Sequence, residues 1–475
     1  MMAERVFDVR DFGARGDGLT LDTPAINAAI DAAAAAGGGR VVLAPGRYLS
    51  FSIQLRSRIT LELSEGAILE AADPARHDGQ YDAPEPNPHD AYQDFGHSHW
   101  HNSLIWGEDI EDVVLLGPGL IHGLGLTREG PGAPWSRDHI GDRPLSMGPA
   151  TPLSPAVFEA EQAAMVGLGN KAVAIRNGRN IVIRDLTVLK GGHFAFLLTG
   201  VDGLLMDGLR IDTDRDGIDL DCVREARLSN LRVNTPNDDA IVLKTSFALG
   251  ERRSTERVQI MGCRVSGYDM GTLLDGTFGR TQNLSPDLDR VTGRIKLGTE
   301  SNGDFRDIEI ADCQFERSRG LAIETVDGGV IEDIVVRDIV MREVTTAPIF
   351  LRLGDRRRGP EGTTAGALQR VSIRNLVATG IDPRFAATLA GLPDHPIEDV
   401  RLSDIHLTYG GGGTADDAGR TVPELPHAYP EPSMFGVSPA HGLYARHVRG
   451  LTLENVVFAT ETPDARPDVV LDDVV

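Results

Sequence analysis

The sequence predicts an all-β fold, a single-stranded parallel β-helix whose chain winds into successive coils behind a short N-terminal capping α-helix. The main observation is a recurring short strand with alternating apolar residues and one small or polar interruption. It reads Ile181-Val-Ile-Arg-Asp-Leu-Thr-Val, Leu204-Leu-Met-Asp-Gly-Leu-Arg-Ile and Ala226-Arg-Leu-Ser-Asn-Leu-Arg-Val, and returns from Val258, Ile308 and Ile334. Val371, Val400 and Leu451 open three more copies. Such alternation marks strands with one buried face. The second observation is the spacing: Leu186, Leu209 and Leu231 hold equivalent places 23 and then 22 residues apart. The third is that no helical pattern intervenes between copies. A period just above 20 built from several short strands is a β-helix signature, and the Leu-x-x-Leu-x-Leu frame of leucine-rich repeats is missing.

In chain order, the first element is the helix. Asp22 or Thr23 is placed to cap it, Pro24 sits in its first turn, and Ala25 to Ala36 are strong helix formers. Gly37-Gly38-Gly39 ends it with residues free to turn left-handed. An Ala-rich helix here serves to cover the open end of a solenoid core. Strands are expected at residues 40–44 and 59–63. Later repeat spacings of 26 to 51 residues imply inserted loops, placed at about 73–103, 267–293 and 410–441. Residues 1–475 are read as one domain with its cap in about the first 50 residues, since one solenoid can run for hundreds of residues.

Composition narrows the function. A net charge of −23 and a pI of about 4.9 argue against binding nucleic acid through its phosphates. An acidic polysaccharide remains open, given local positive charge in a cleft. Cys222, Cys263 and Cys313 make no even disulfide framework, and Cys263 and Cys313 fall at the same place in two repeats, as buried thiols would. No apolar run is long enough for a membrane span. The first ten residues lack the pattern of a secretory signal, so the compartment stays open.

The chemistry concentrates in residues 212–244. Asp216 precedes Ile218 and Leu220, and the pair Asp238-Asp239 precedes Ile241 and Leu243. If these are neighbouring strands, roughly 4.8 Å apart, the three carboxylates converge on one surface. Ordinary turn use of Asp is the alternative. Crowded like charges force at least one pKa upward, which suits an acid and a base facing one glycosidic bond.

These residues carry a family resemblance. Asp214-Arg215-Asp216-Gly217 and Asn237-Asp238-Asp239-Ala240-Ile241-Val242-Leu243-Lys244 resemble the Asn-Thr-Asp-Gly and Gly-Asp-Asp-Cys-Ile-Ala-Ile-Lys motifs of glycoside hydrolase family 28. That family contains polygalacturonases and rhamnogalacturonan hydrolases. The similarity extends to Asp8-Val-Arg-Asp-Phe-Gly-Ala near the start and to Pro430-Glu-Pro-Ser-Met-Phe-Gly late in the chain. It implies a right-handed β-helix that hydrolyses O-glycosidic bonds of a pectin-like polysaccharide without metal or other cofactor. Asp238 would be the general acid, and Asp216 and Asp239 would activate water, with inversion. Lys244, closing the second motif, joins the expected substrate-binding set.

Two departures bear on the substrate. The family's Gly-His-Gly motif, one coil after the paired Asp, has no matching His here. Its Arg-Ile-Lys motif, which grips a uronate carboxylate, occurs literally as Arg294-Ile295-Lys296. Counted by coils, however, the motif falls at Arg319-Gly-Leu-Ala-Ile-Glu-Thr, which puts Ala322 and Glu324 in place of the two cations. In that register a neutral sugar is expected at the subsite, or a carboxylate held by Arg294, Lys296 or Arg352.

Other candidates are weaker. His97, His99 and His101 surround Trp100 in a stretch read as a solvated loop, with Trp100 a candidate face for a sugar ring and no complete metal set. His193, one coil before Asp216, is read either as lining the cleft or as a structural His. Arg356-Arg357-Arg358 is read as a solvent-facing run, and Gly410 to Gly413 as a flexible loop. Besides hydrolysis, two other classes stay open: a β-helix lyase using calcium with an Arg or Lys base, and a non-catalytic binding or structural β-helix.

Overall fold

The structure, a computed structural model, describes residues 5–131, 155–287 and 289–475. The described strands hydrogen-bond into one continuous parallel sheet wound as a right-handed β-helix. The nine repeats read from the sequence stand in a single ladder. Ile181, Leu204, Ala226, Val258, Ile308, Ile334, Val371, Val400 and Leu451 are successive partners, one per coil.

The polar interruption within each repeat has a backbone cause. Asp185, Asn230, Asp312, Asp338, Asn375, Asp404 and Asn455 all take positive φ, as do Gly208 and Gly262 at the same corner. Each coil bends there through the left-handed region, which Gly, Asn and Asp enter at least cost. The residue that follows turns inward, so Leu186, Leu209, Leu231, Cys263 and Cys313 are at most 1% exposed. All three cysteines are free and buried, as expected.

Five strands carry the site: β1 (Phe194–Thr199), β2 (Asp216–Asp221), β3 (Ile241–Thr245), β4 (Ile295–Ser301) and β5 (Leu321–Thr325). Two inner columns hold them in register. One runs Phe196, Ile218, Ile241, Ile295, Leu321; the other runs Leu198, Leu220, Leu243, Leu297, Ile323. Slipping one strand by a residue would expose both of its core side chains, so the register is tightly specified.

Helix α1 (Thr23–Ala35) lies where expected and buries Ala25, Ile26, Ala29, Ile30 and Ala33 against the first coils. Asp22 holds the capping position without making the capping bond; its carboxylate instead accepts from the Arg15 and Gly16 amides at 2.7 and 3.0 Å. Gly37 and Gly38 end the helix with φ of +90° and +122°. The expected excursions appear between Ala67–Ala71 and Ser103–Glu108, between Arg264–Ser266 and Ile295–Ser301, and after Ile397–Tyr409. A further one, between Leu120–His122 and Lys171–Arg176, went unread because it contains no repeat; residues 132–154 of it lie outside the described residues. So do residues 1–4 of the segment inspected for a secretory signal. Among the described residues no helix is long and apolar enough to cross a membrane.

Candidate active site

Gly217 sets the first piece of the site. A Cβ there would lie 2.4 Å from Val233 Cγ1 and 2.5 Å from the Ala240 carbonyl oxygen, so the position faces inward and admits no side chain. Asp216 beside it is thereby directed away from the core. The next coil repeats the device: Gly217 donates to the Asp239 carbonyl, Ile218 to Ala240, and Ala240 is fully buried. Asp216 and Asp239 are thus equivalent positions on β2 and in the approach to β3, with Asp238 beside them. Oxygens of Asp216, Asp238 and Asp239 all lie within 4.8 Å of one another.

The three differ in surroundings. Asp216 and Asp239 are recessed at 4% exposure, whereas the Asp238 side chain keeps 26%. Burial, followed by the charge of Asp238, pushes the Asp216 carboxyl well up, and its Oδ1 finds no hydrogen-bond partner. Burial also pushes Asp238 upward, but Arg215, followed by Lys244 and Lys296, together hold the carboxyl below its usual range. Arg215 donates to Asp238 Oδ2 through Nε at 3.1 Å and Nη2 at 2.8 Å. The carboxyl pushed upward by the crowding is therefore Asp216, and the one held down is Asp238.

The coil after Asp239 passes through Thr292, Gly293 and Arg294, so an Arg and no His meets the acidic pair. Arg294 is 2% exposed; its Nε donates to Asp239 at 2.7 Å, and Nη1 and Nη2 donate to Glu431 at 2.9 and 2.6 Å. Lys296 on β4 lies 3.6 Å from Asp239, 3.4 Å from Glu324 and 3.3 Å from the Tyr429 hydroxyl. Its ladder partner on β5 is Ala322. The literal Arg294-Ile-Lys296 string therefore sits one coil after the Asp pair, and Ala322 and Glu324 sit one coil further, as counting by coils predicts.

Glu324 is fully buried, with neither oxygen hydrogen-bonded among the described residues, and burial pushes its carboxyl up to about 7 against the pull of Lys296. A carboxyl raised in this way stabilises the fold in its protonated form. That contribution is complete below the unfolded value of 4.5 and is lost as pH rises through about 7. Glu324→Gln does not titrate, so the wild-type melting temperature should fall relative to the variant between pH 5 and 8. A constant difference across that range would show that Glu324 is ionised throughout.

Lys244 points to the same face on β3. It lies 2.9 Å from His97 Nε2 and 3.2 Å from both Asp219 and Glu300. Burial and then Lys244 keep His97 neutral, pulled down to about 3. His193 is 4% exposed, and its Nδ1 lies 2.9 Å from the Arg128 carbonyl; burial holds it well below its usual range, so it too is neutral.

Several expectations need correcting. Trp100 is completely buried, with its indole N–H on Thr199 Oγ1 at 2.9 Å, and shows no face to a sugar. Its neighbours do not form a solvated loop. His97 and His99 are 3% and 4% exposed, and His101 stacks on Trp106 while meeting Glu108 at 2.9 Å. The arginine run does not face solvent as a whole: Arg356 is buried on Asp327 and Arg358 on Glu300, leaving only Arg357 outside. Arg352 is occupied by the carbonyls of Ala390, Gly391, Glu424 and Leu425.

Arg215, Tyr429 and Glu431 were not among the candidates. Arg215 was visible as a departure inside the first motif, and Glu431 lay within the late motif taken only as a sign of lineage. As for an ion, the Asp trio is the one described cluster close enough to share one. Arg215, Arg294 and Lys296 already offset its charge.

Comparison with known proteins bears on the fold and the sequence as a whole. The family described as rhamnogalacturonase A/epimerase, pectate lyase-like, matches residues 6–90. A probable polygalacturonase of Vitis vinifera is 24% identical over 418 residues, covering 84% of this chain and 73% of the grapevine protein. The exopolygalacturonase of Thermotoga maritima superposes with a TM-score of 0.66 at 18% identity, over 97% of this chain and 93% of that one. The Streptococcus pneumoniae adhesin PfbA also superposes, with a TM-score of 0.55 at 14% identity, over 98% and 93%. The chain is thus similar to polygalacturonases in sequence, while its fold is shared with an adhesin.

Proposed function

We propose that this chain is a glycosidase, one catalytic β-helix unit that hydrolyses O-glycosidic bonds in a pectin-like or related acidic polysaccharide. The observation that carries the proposal is the meeting of Asp216, Asp238 and Asp239 from adjacent coils, with Asp216 recessed and pushed toward its protonated form and Asp238 more exposed. An inert β-helix gains nothing from this, because crowded buried carboxylates are costly and cluster at functional sites.

Asp238 is the general acid in this reading. A glycosidic oxygen has to reach its proton donor, and Asp238 is the most exposed of the three. Asp216 and Asp239, recessed, orient and deprotonate the water, and inversion follows the family resemblance. Substrate entering the cleft displaces Arg215 from Asp238, and the trio's proton moves from Asp216 to Asp238 across less than 4.8 Å. It then passes to the leaving oxygen as the bond to the anomeric carbon breaks. The cations around the trio do the work a metal ion would do, so hydrolysis is expected to be metal-independent. A lyase would need an Arg or Lys base at the trio, and Arg294, Lys244 and Lys296 are each committed to two carboxylates.

Two experiments bear on this. Polygalacturonate, rhamnogalacturonan and neutral glycosides should be compared by release of reducing ends, with product anomers followed by NMR. Reducing ends with an inverted anomer and insensitivity to chelator are expected; unsaturated, ultraviolet-absorbing products dependent on calcium would replace hydrolysis with elimination. The second is Arg215→Ala. Removing the cation that holds Asp238 ionised raises its pKa, so the alkaline limb of kcat/KM should move to higher pH. An unmoved or lowered limb would remove Asp238 from the acid's role.

Glu324 argues that the preferred substrate is not plain polygalacturonate. Glu324 already engages Lys296 at 3.4 Å, so the subsite favours a neutral sugar over a uronate, whose carboxylate would compete with Glu324 for that cation.

A further inference from the structure

The cations beside the trio leave an acidic polymer with little to hold. Arg215 is paired with Asp238, Arg294 with Asp239 and Glu431, and Lys244 with Asp219 and Glu300. Lys296 is shared between Asp239 and Glu324, and Arg319 between Glu431 and Asp287. Of the chain's four lysines, Lys171 is buried on Asn102 and Asn170, and the remaining one, Lys190, makes no ion pair or side-chain hydrogen bond among the described residues.

Lys190 lines a cleft of about 590 Å³ at the corner where each coil turns toward the strands carrying the site. The floor of the cleft is Asp214 and Asn237, and these residues immediately precede Arg215-Asp216 and Asp238-Asp239. The Asp214 charge is already taken: Arg128 and Asn237 both donate to its carboxylate. On the wall stand Leu124, Met270 and Leu284, and Leu124 and Leu284 are 43% and 52% exposed. A lysine with no ion pair among the described residues thus lines the same cleft as exposed aliphatic side chains and as the residues that precede the Asp trio, which suits an anion with an apolar face.

We propose that this cleft binds an ionised uronate unit of the substrate beside the scissile bond, with its carboxylate on Lys190 and its C–H face on Leu124 and Leu284. The inference rests on the hydrolase reading for its substrate. Combined with Glu324, whose carboxyl already engages Lys296, it assigns the preferred linkage a uronate on the Lys190 side and a neutral sugar on the Glu324 side.

The test is calorimetric binding of trigalacturonate and of neutral galactotriose, in an Asp238→Asn background that prevents turnover. Lys190→Ala should weaken trigalacturonate about tenfold or more, the scale of a lost charge-assisted bond, and leave galactotriose unchanged. Lys190→Arg should restore most of the loss, and melting temperatures should match throughout. Equal trigalacturonate affinity in Lys190→Ala, or no measurable uronate binding by the parent, overturns the proposal. Uronate binding that depends on Lys190 in a protein whose Asp238 form hydrolyses nothing would overturn the hydrolase reading and leave this site standing. Hydrolysis of a uronate polymer with unchanged affinity in Lys190→Ala would do the reverse.

Discussion

Asp238→Asn is expected to lower turnover by about 10²-fold or more while substrate still binds, the range for losing a general acid. Asn keeps the shape of the side chain but has no carboxyl proton to give. Asp239→Asn should be as severe, because it removes the charge that faces Arg294 and Lys296 as well as one of the two groups proposed to activate water. Asp216→Asn differs in kind. In the proposed mechanism Asp216, the carboxyl pushed upward, supplies the proton that loads Asp238, so its amide takes away both a base and that reservoir. Steady-state rates with matched melting curves would measure all three. Rates near wild type in all three variants would remove the hydrolase reading, whatever the fold.

How far the sequence reached can be judged at particular residues. The repeat frame was legible to the residue, because each copy joins period-2 alternation to a corner that demands Gly, Asn or Asp. Asp185, Asn230 and Asp338 are those corners, all at positive φ. The convergence of Asp216 with Asp238-Asp239 followed from the same frame, since Ile218 and Ile241 are ladder partners. What stayed hidden was the outer face. Whether a His or an Arg in a loop lies open or buried depends on segments that return from far along the chain. Trp100 is covered because its indole reaches Thr199, 99 residues on, and Arg294 is engaged by Glu431, 137 residues on. No local pattern encodes such distances. The three-arginine run shows the same limit, for Arg356 and Arg358 are drawn inward by Asp327 and Glu300 while Arg357 between them stays out.

Arg294→Ala should have the largest effect on stability, roughly 3–5 kcal/mol, the cost of breaking a buried ion pair by removing one partner. Glu431 would keep Arg319 at 3.2 Å and Asp239 would keep Lys296 at 3.6 Å, but neither contact replaces the fork that now joins both carboxylates. Activity should fall with it, by about 10²-fold, because the guanidinium fixes the carboxylate that positions the water, and small misplacements are that costly. Arg294→Ala combined with Glu431→Gln separates the two losses. The double variant no longer buries an under-compensated Glu431, so part of the stability should return, while Asp239 remains unsupported and turnover stays low. The melting temperature and kcat of the single and double variants, read as a cycle, measure this. The opposite pattern would be a raised KM for uronate substrates alone, with unchanged melting temperature and kcat. It would make Arg294 a clamp for the substrate's carboxylate, and its contacts with Asp239 and Glu431 would be ones that substrate displaces at little cost.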